Sequence, residues 1–317
     1  MYKTLYDIKK EYDDIKLKNA MLYEDRKNDI YKKYPALKKM DEDIRNLYLL
    51  KFKNSEDLKI LEKINKLKLE KEDFLKKNNI DENYLEKIYT CKKCKDTGFV
   101  DGKKCSCLIE KEILLINSIS NYDEISKTDN FSNVNFSYYK QDEKNPYNGA
   151  SYYEYMVNAI KHMKQNIETI DEKPFNAIII GPTGSGKTFL ARCIGSEFYK
   201  KGKSVLYITI NDFINSYFNK NDEEEENIKI EPYALKADLF ILDDIGIETT
   251  PAFFISSFNN IIDKRLNEKK STIITTNLNF NELKTRYHEN TVSRLYGLYY
   301  KYFLLGEDLR RIKNGIE

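Results

Sequence analysis

No stretch of the 317 residues is apolar for long enough to cross a bilayer, which takes about 20 such residues in a row. The opening Met1-Tyr-Lys-Thr-Leu-Tyr-Asp7 lacks the apolar region of a signal peptide. An excess of charge of either sign is also missing: 53 lysines and arginines stand against 51 aspartates and glutamates, a net of +2. That balance excludes a global basic field, so any nucleic-acid contact has to come from local patches. Tryptophan is absent while lysine, asparagine, isoleucine and tyrosine are abundant, a compositional drift that says little about function. Cysteine is scarce, five in all, and four of the five fall in one short interval. Without an export signal, that clustering favours a metal over disulfides. The expectation is a soluble cytoplasmic protein with no membrane partner, long enough for two domains and a sizeable core.

What is present is organised around Gly181-Pro-Thr-Gly-Ser-Gly-Lys-Thr188, which reads G-x-x-x-x-G-K-[ST]. Ile178, Ile179 and Ile180 run straight into it as a short strand buried on both faces. Gly181, Gly184 and Gly186 let the backbone turn tightly and bring its N–H groups against an anion. Lys187 would reach the β- and γ-phosphates of ATP or ADP, and the Thr188 hydroxyl would hold Mg²⁺. The segment from Phe189 onward continues as a helix whose positive end faces the phosphates. Gly181, Pro182, Thr183, Gly184, Ser185, Gly186, Lys187, Thr188 and Phe189 are therefore the candidate nucleotide-binding residues. A chance glycine turn is the bland alternative, and the strand before and helix after count against it.

Upstream, residues 1–90 carry a helical pattern. Leu5, Ile8, Tyr12, Ile15 and Leu22 form one stripe, and Tyr34-Pro35 breaks the first helix. Met40, Ile44, Leu47 and Leu50 mark a second helix. Ser55 is placed to cap a third, with Leu58, Leu61, Ile64 and Leu67, and a short fourth starts near Asp81. These make a small bundle with solvated outer faces, which either ends at that role or docks a partner. Cys91-Lys-Lys-Cys94 and Cys105-Ser-Cys107 follow, separated by a hairpin with Gly98 and Gly102. Four thiolates satisfy tetrahedral Zn²⁺ and leave no place for a substrate water, so the metal is structural. Two pairs at this spacing favour zinc over a redox dithiol. Lys92, Lys93, Lys95, Lys103 and Lys104 make the knuckle locally basic, either as a solvated surface or as a contact for phosphate backbone.

A helix from Leu108 to about Ser120 leaves the cysteine segment. Residues 121–150 are polar, with turn signals at Asn145-Pro146 and Asn148-Gly149, and are read as a linker. Phe131, Phe136, Tyr138 and Tyr139 within them pack on the core or against an adenine. Residues 151–317 are then the ATPase domain. Tyr152–Ile167 is helical, Ser204–Thr209 is a strand, Asn211 caps a helix with Phe213, Ile214, Tyr217 and Phe218, and Asp222–Glu226 is an acidic loop.

Asp238-Leu-Phe-Ile-Leu-Asp-Asp244 repeats the buried-strand pattern and ends in two carboxylates. Asp243 would bind Mg²⁺, and Asp244 would orient or deprotonate an attacking water. Asp244 is one methylene shorter than a glutamate, which points to slow turnover. Solvated acids at a strand end are the alternative. Thr250-Pro251 opens the next helix. Ser271–Asn277 is another buried strand, whose Asn277 either senses the γ-phosphate or caps a turn. Asn279 caps a short helix, and Arg286 and Arg294 follow on helical stretches. Arg294 is the candidate for charge neutralisation on a neighbouring subunit's nucleotide, with a surface ion pair as its alternative. The few residues after Gly306 are too short for a lid domain, so Arg310 supplies any contact in cis from this end.

The run of phosphate loop, Leu242-Asp-Asp-Ile-Gly246, Thr275-Thr-Asn277 and Gly306-Glu-Asp-Leu-Arg310 resembles the AAA+ ATPases of the DnaC/DnaI type, the bacterial replicative helicase loaders. The likeness covers about residues 130–315, and the cysteine knuckle behind a helical domain is nearest the DnaI-like branch. It implies an α/β P-loop NTPase core with a parallel sheet of order 5-1-4-3-2, an N-terminal helical domain with a zinc knuckle, and no C-terminal lid. It further implies a hexameric replicative DNA helicase gripped by the N-terminal helices, single-stranded DNA bound by the ATPase domain, and side-by-side self-assembly with Arg294 acting in trans. Phe213, Tyr217 and Phe218 would either stack on bases or fill a helix core. Two other readings share the core: a helper ATPase of a transposase, and an adaptor that binds nucleotide without turnover.

Overall fold

Pro35 decides where the first helix ends. The computed structural model describes residues 4–53, 58–81, 83, 86–144, 149–218, 229–246, 251–305 and 308–313, without the side chains of Lys53, Leu58, Phe218, Ile312 and Lys313. Helix α1 (Leu5–Lys33) stops one residue short of Tyr34, and Pro35 starts α2 (Pro35–Lys53), where its missing N–H costs no hydrogen bond. Helix α3 (Leu58–Lys77) returns alongside, and Ile30, Leu37 and Leu75 close a small core with Tyr34 and Phe74 around it. The proposed cap Ser55 lies outside the described residues. The short helix expected near Asp81 falls largely on residues 82, 84 and 85, outside the described residues; Asn83 between them is in 3-10 conformation, its backbone N–H donating to the Asp81 carboxylate. The outer faces are less polar than the charge pattern suggests. Leu17, Met21, Leu22, Tyr48, Leu49 and Phe52 are all exposed, Phe52 at 92%.

A two-stranded hairpin, β1 (Phe99–Val100) and β2 (Lys103–Lys104), carries the cysteines between the bundle and α4 (Ser106–Ile119). The chain divides into two compact units, Tyr6–Leu108 and Ile109–Glu317, the latter together with Met1–Leu5. The boundary therefore falls inside α4, ahead of the polar segment 121–150 that reads as a linker in the sequence. That segment belongs to the larger unit for a physical reason. Tyr122, Phe131 and Tyr139 are buried in its core, carried by α5 (Tyr122–Thr128) and two short 3-10 turns. The turn signals at 145–148 lie outside the described residues.

The larger unit is built on β3 (Ala177–Ile180), β4 (Val205–Thr209), β5 (Leu239–Ile245), β6 (Ser271–Thr276) and β7 (Tyr300–Phe303), all parallel, in the order β4-β5-β6-β3-β7. Counting from β3 as the first strand and reading from the β7 edge, this is the 5-1-4-3-2 order that the resemblance implies. Alternate residues of β5 serve opposite faces, as a strand's period of two requires. Leu239 and Ile241 join a core with α6 (Tyr152–Glu168) and α7 (Lys187–Lys200). Phe240 packs instead on Phe213 of α8 (Ile210–Phe218), which touches Phe254 of α10 (Ala252–Asn267). Phe213 is thus core and offers no stacking face. Tyr217 is tied to Glu231 and Ser257 through its hydroxyl, and the side chain of Phe218 is not among those described. Gly195 on α7 sits where Tyr122 crosses: a Cβ there would lie 1.8 Å from the phenol oxygen.

Two caps differ from expectation. Helix α8 starts at Ile210, and Thr209 takes the cap position, its Oγ1 accepting from the Asp212 N–H, because the strand's last residue carries its own hydroxyl; Asn211 is already helical. Pro251 occupies the cap position of α10 with an extended ψ of 145°, not the first helical turn, and Thr250 lies outside the described residues. The acidic run 222–226 also lies outside them. The chain closes with α9 (Glu231–Lys236) before β5, with α11 (Phe280–Arg286) and α12 (Glu289–Leu298) after β6, and with α13 (Leu309–Lys313) after β7. Asn279 caps α11 as read, in a reciprocal box with Glu282. No helix among the described residues is long and apolar enough to cross a membrane.

Candidate functional site

The loop after β3 turns through Gly184 and Gly186, at φ of 80° and 90°, a region open to glycine at little cost. This turn places α7 with its N-terminal end toward a cavity of about 580 Å³. Thr183, Gly184, Gly186, Lys187, Thr188 and Phe189 line one side of it, and Asp244, Asn277 and Arg310 line another. Nine residues singled out in four separate sequence segments thus converge on one space. Gly181, Pro182 and Ser185 support the loop from behind. Ser185 Oγ donates to the Pro182 carbonyl at 2.8 Å, and Gly181 packs against the Leu304 carbonyl so closely that a Cβ would lie 2.6 Å from it.

Lys187 is buried, and its ammonium donates to the Gly181 and Pro182 carbonyls at 2.9 Å each. Burial holds that ammonium below its ordinary pKa, with Asp244 and Asp243 opposing the shift. Asp243, at 1% exposure, lies beneath the loop rather than in the cavity wall. Its carboxylate accepts from Thr188 Oγ1 at 2.9 Å, Thr275 Oγ1 at 2.5 Å and the Tyr207 hydroxyl at 2.7 Å. The pairing of β5 with β6 slips here: Leu242 faces Ile274 but Ile245 faces Thr276, so β5 carries one extra residue at Asp243-Asp244. Asp244 takes the left-handed φ of 60° that the bulge demands. The bulge turns the two acids apart, Asp243 inward to Thr188 and Asp244 toward the cavity. Burial, and then the Asp243 charge, push the Asp244 carboxyl above its ordinary range.

Arg294 does not reach this cavity. It sits on α12, partly exposed, in an ion pair with Asp263. Arg286 donates to the Gly246 carbonyl. Gly306 and Glu307 lie outside the described residues, but the following turn docks on the loop, with the Leu309 N–H donating to the Gly184 carbonyl at 3.0 Å. The far wall holds Tyr138 and Tyr139, read in the sequence as packing or as an adenine contact, together with Asp129, Asn133, Val134 and Asn135 and, from α7, Arg192, which sequence reasoning missed. The only signal for the missed residues is that aromatic pair, and the structure gives Tyr139 both a core and a cavity face.

In the smaller unit, Cys91, Cys94, Cys105 and Cys107 bring all four sulfurs within 4.8 Å of one another. Cys91 to Cys105 is 3.9 Å and Cys94 to Cys107 is 3.6 Å. A tetrahedron with Zn–S bonds of about 2.3 Å has edges of roughly 3.8 Å, so the donor set fits zinc. The backbone N–H of Cys94, first among several hydrogen bonds, lowers the Cys91 thiol to about 7, while burial raises Cys107 to about 12. The Tyr12 hydroxyl lies 3.0 Å from the Cys107 sulfur, tying α1 to the centre. Asp96, missed in the sequence, is buried and accepts from the backbone N–H groups of Thr90 and Cys91 and from Asn19 Nδ2, fixing the first knuckle.

Residues 153–295 match a family described as IstB-like ATP binding protein. Over 142 residues the chain is 30% identical to the replicative helicase loader DnaC of Escherichia coli strain K12, an alignment covering 44% of this chain and 57% of that protein. It is 29% identical over 140 residues to the DnaC of Buchnera aphidicola (subsp. Acyrthosiphon pisum), covering 43% and 56%. The chain thus spans a little over half the length of these curated relatives. A solved crystal structure of the DnaC helicase loader aligns at 26% identity and a TM-score of 0.43, over 55% of this chain and 97% of that one.

Proposed function

From the premise that the chain carries a DnaC-type ATP-binding core, we propose that it is a Mg²⁺-dependent ATPase that loads a hexameric replicative helicase onto single-stranded DNA in the cytoplasm. The observation that carries the reading is the convergence of the phosphate loop, Asp244, Asn277 and Arg310 on one cavity, with Asp243 bonded to Thr188 beneath it. A bound Mg²⁺ would neutralise charge between the terminal phosphates. Thr188 and Asp243 are the residues that would hold it, Asp243 through water. Lys187 would exchange its two carbonyl partners for phosphate oxygens. Asp244 would orient the attacking water and accept its proton, Asn277 would sense the terminal phosphate, and Arg310 would reach it in cis. Arg294, on an outer helix, suits contact with the nucleotide of a neighbouring copy, which its ion pair with Asp263 would have to release. The four cysteines would hold a structural Zn²⁺. The helical unit, with its exposed apolar side chains, would dock the helicase.

Steady-state hydrolysis with and without single-stranded DNA tests the reading. Wild type should turn over ATP slowly and Lys187→Ala should not; activity that survives Lys187→Ala refutes the assignment. An ATP-binding core alone fits a second reading equally well, a helper ATPase of a transposase. Capture of the replicative helicase by the full chain decides between them.

A further inference from the structure

Asp243 is held by more than the loop it faces. The Tyr207 hydroxyl donates to its Oδ2 at 2.7 Å from the neighbouring strand. The same phenol oxygen accepts from Arg192 Nη2 at 2.9 Å, and the guanidinium lies over the ring, 4.4 Å from its centre. Arg192 Nη1 donates onward to Asp129 at 3.4 Å. The polarity of this chain of bonds has one solution. Arginine only donates, so the phenol must accept from it and has its own proton left for Asp243.

We propose that Tyr207, oriented by Arg192, is a positioning residue that aims the Asp243 carboxylate at a Mg²⁺–nucleotide, an inference that rests on the nucleotide reading above. A carboxylate offers about four lone-pair sites. Thr188, Thr275 and Tyr207 fill three of them and fix the plane of the group, leaving the fourth for a metal-bound water. Thr188 would turn its oxygen to the metal, so the phenol and Thr275 are the donors whose role does not change on binding. Arg192 and Asp129 line the cavity wall, so its occupant adjoins the chain of bonds that ends on Asp243. Partners of this kind change metal affinity by roughly 10- to 100-fold when removed.

The test uses the full chain and two probes: Mn²⁺, followed by electron paramagnetic resonance with saturating ADP, and ADP alone, followed by calorimetry without metal. Tyr207→Phe keeps the ring and its contact with Arg192 and removes only the hydroxyl. It should weaken Mn²⁺ binding roughly tenfold, raise the Mg²⁺ concentration needed for half-maximal hydrolysis by the same factor, and leave metal-free ADP affinity unchanged. Equal Mn²⁺ affinity in variant and wild type overturns the proposal. So does an equal loss of metal-free ADP affinity, because the phenol would then only support the fold. Should Tyr207→Phe not fold, Arg192→Met, at a residue that also lines the cavity, must lose Mn²⁺ affinity by a larger factor than it loses metal-free ADP affinity, or the proposal fails. A wild type that binds no ADP removes the nucleotide reading itself, an outcome distinct from one in which ADP binds and the variant behaves as wild type.

Discussion

Asp244 is a carboxylate placed where ionisation is expensive. It lies partly buried, next to the buried Asp243, in the left-handed region that aspartate and asparagine tolerate better than most residues. A carboxyl whose pKa is raised by folding loses stability as the pH climbs through that raised value, and the penalty is complete above it. Asp244→Asn removes the penalty and keeps the backbone preference. Its melting temperature relative to wild type should therefore be higher at neutral than at acid pH, as scanning calorimetry can show. The variant should bind ADP at least as tightly while kcat for ATP falls roughly 100-fold or more, if Asp244 takes the proton of water. Unchanged kcat would return Asp244 to a structural role at the bulge. The half of the site proposed to hold phosphates was legible because its spacing is local: Gly181 to Thr188 is one continuous loop, and Asp243 ends an apolar run. Asp129, Arg192 and Tyr207 were not legible, since each comes from a different element and only the parallel stacking of β4 on β5 puts a phenol beside a carboxylate.

At the scale of elements, two devices replace apolar burial. The hairpin β1–β2 has exposed strands, so we expect it to depend on a metal held by its four cysteines, with Asp96 bonded to Cys91 and Tyr12 to Cys107. Chelation should release one zinc per chain and raise hydrogen exchange across residues 91–108, while amides of β3 and β6 stay protected; Cys94→Ser should do the same without chelator. Uniform exchange before and after would show that no metal holds the hairpin. The second device is Arg265, fully buried on α10. It donates to the carbonyls of Ala234, Ala237, Asp238 and Ser271 and to Thr272, joining α9, β5 and β6. Burial lowers its guanidinium to about 10. Arg265→Leu strands several of those carbonyls, each costing about 1–3 kcal/mol, so denaturant melts should show a loss on the order of 3 kcal/mol or more. The strands and long helices were readable from apolar runs and helical stripes. The segment 121–144 was not, because its anchors at Tyr122, Phe131 and Tyr139 follow no period and sit among polar residues, so that burial there is decided by the sheet they meet rather than by their neighbours in the chain.

At the scale of the whole molecule, the two units carry different chemistry. The cavity belongs wholly to Ile109–Glu317, and the four-cysteine cluster and the exposed apolar helices to Tyr6–Leu108. Tyr48, Leu49 and Phe52 fall on neighbouring turns of one helix and stay in water, Phe52 at 92% exposure, the most exposed of the large apolar side chains in this unit. Leaving such a patch in solvent is costly to solubility unless a partner covers it. If that partner is the helicase, the division of labour is separable. A chain lacking residues 6–108 should bind ADP as wild type does and fail to co-purify with the hexameric helicase. Phe52→Ser with Leu49→Ser in the full chain should leave hydrolysis intact, since neither side chain belongs to the nucleotide unit. An aromatic anchor at the centre of an interface is worth on the order of 2 kcal/mol, so the double variant should weaken helicase binding by about thirtyfold or more. Binding equilibria measured at matched salt distinguish this from a charge effect, because the substitutions carry none. Helicase affinity that survives both the deletion and the double variant would move the docking surface onto the larger unit and leave the helices with support of the four-cysteine cluster as their only assigned role.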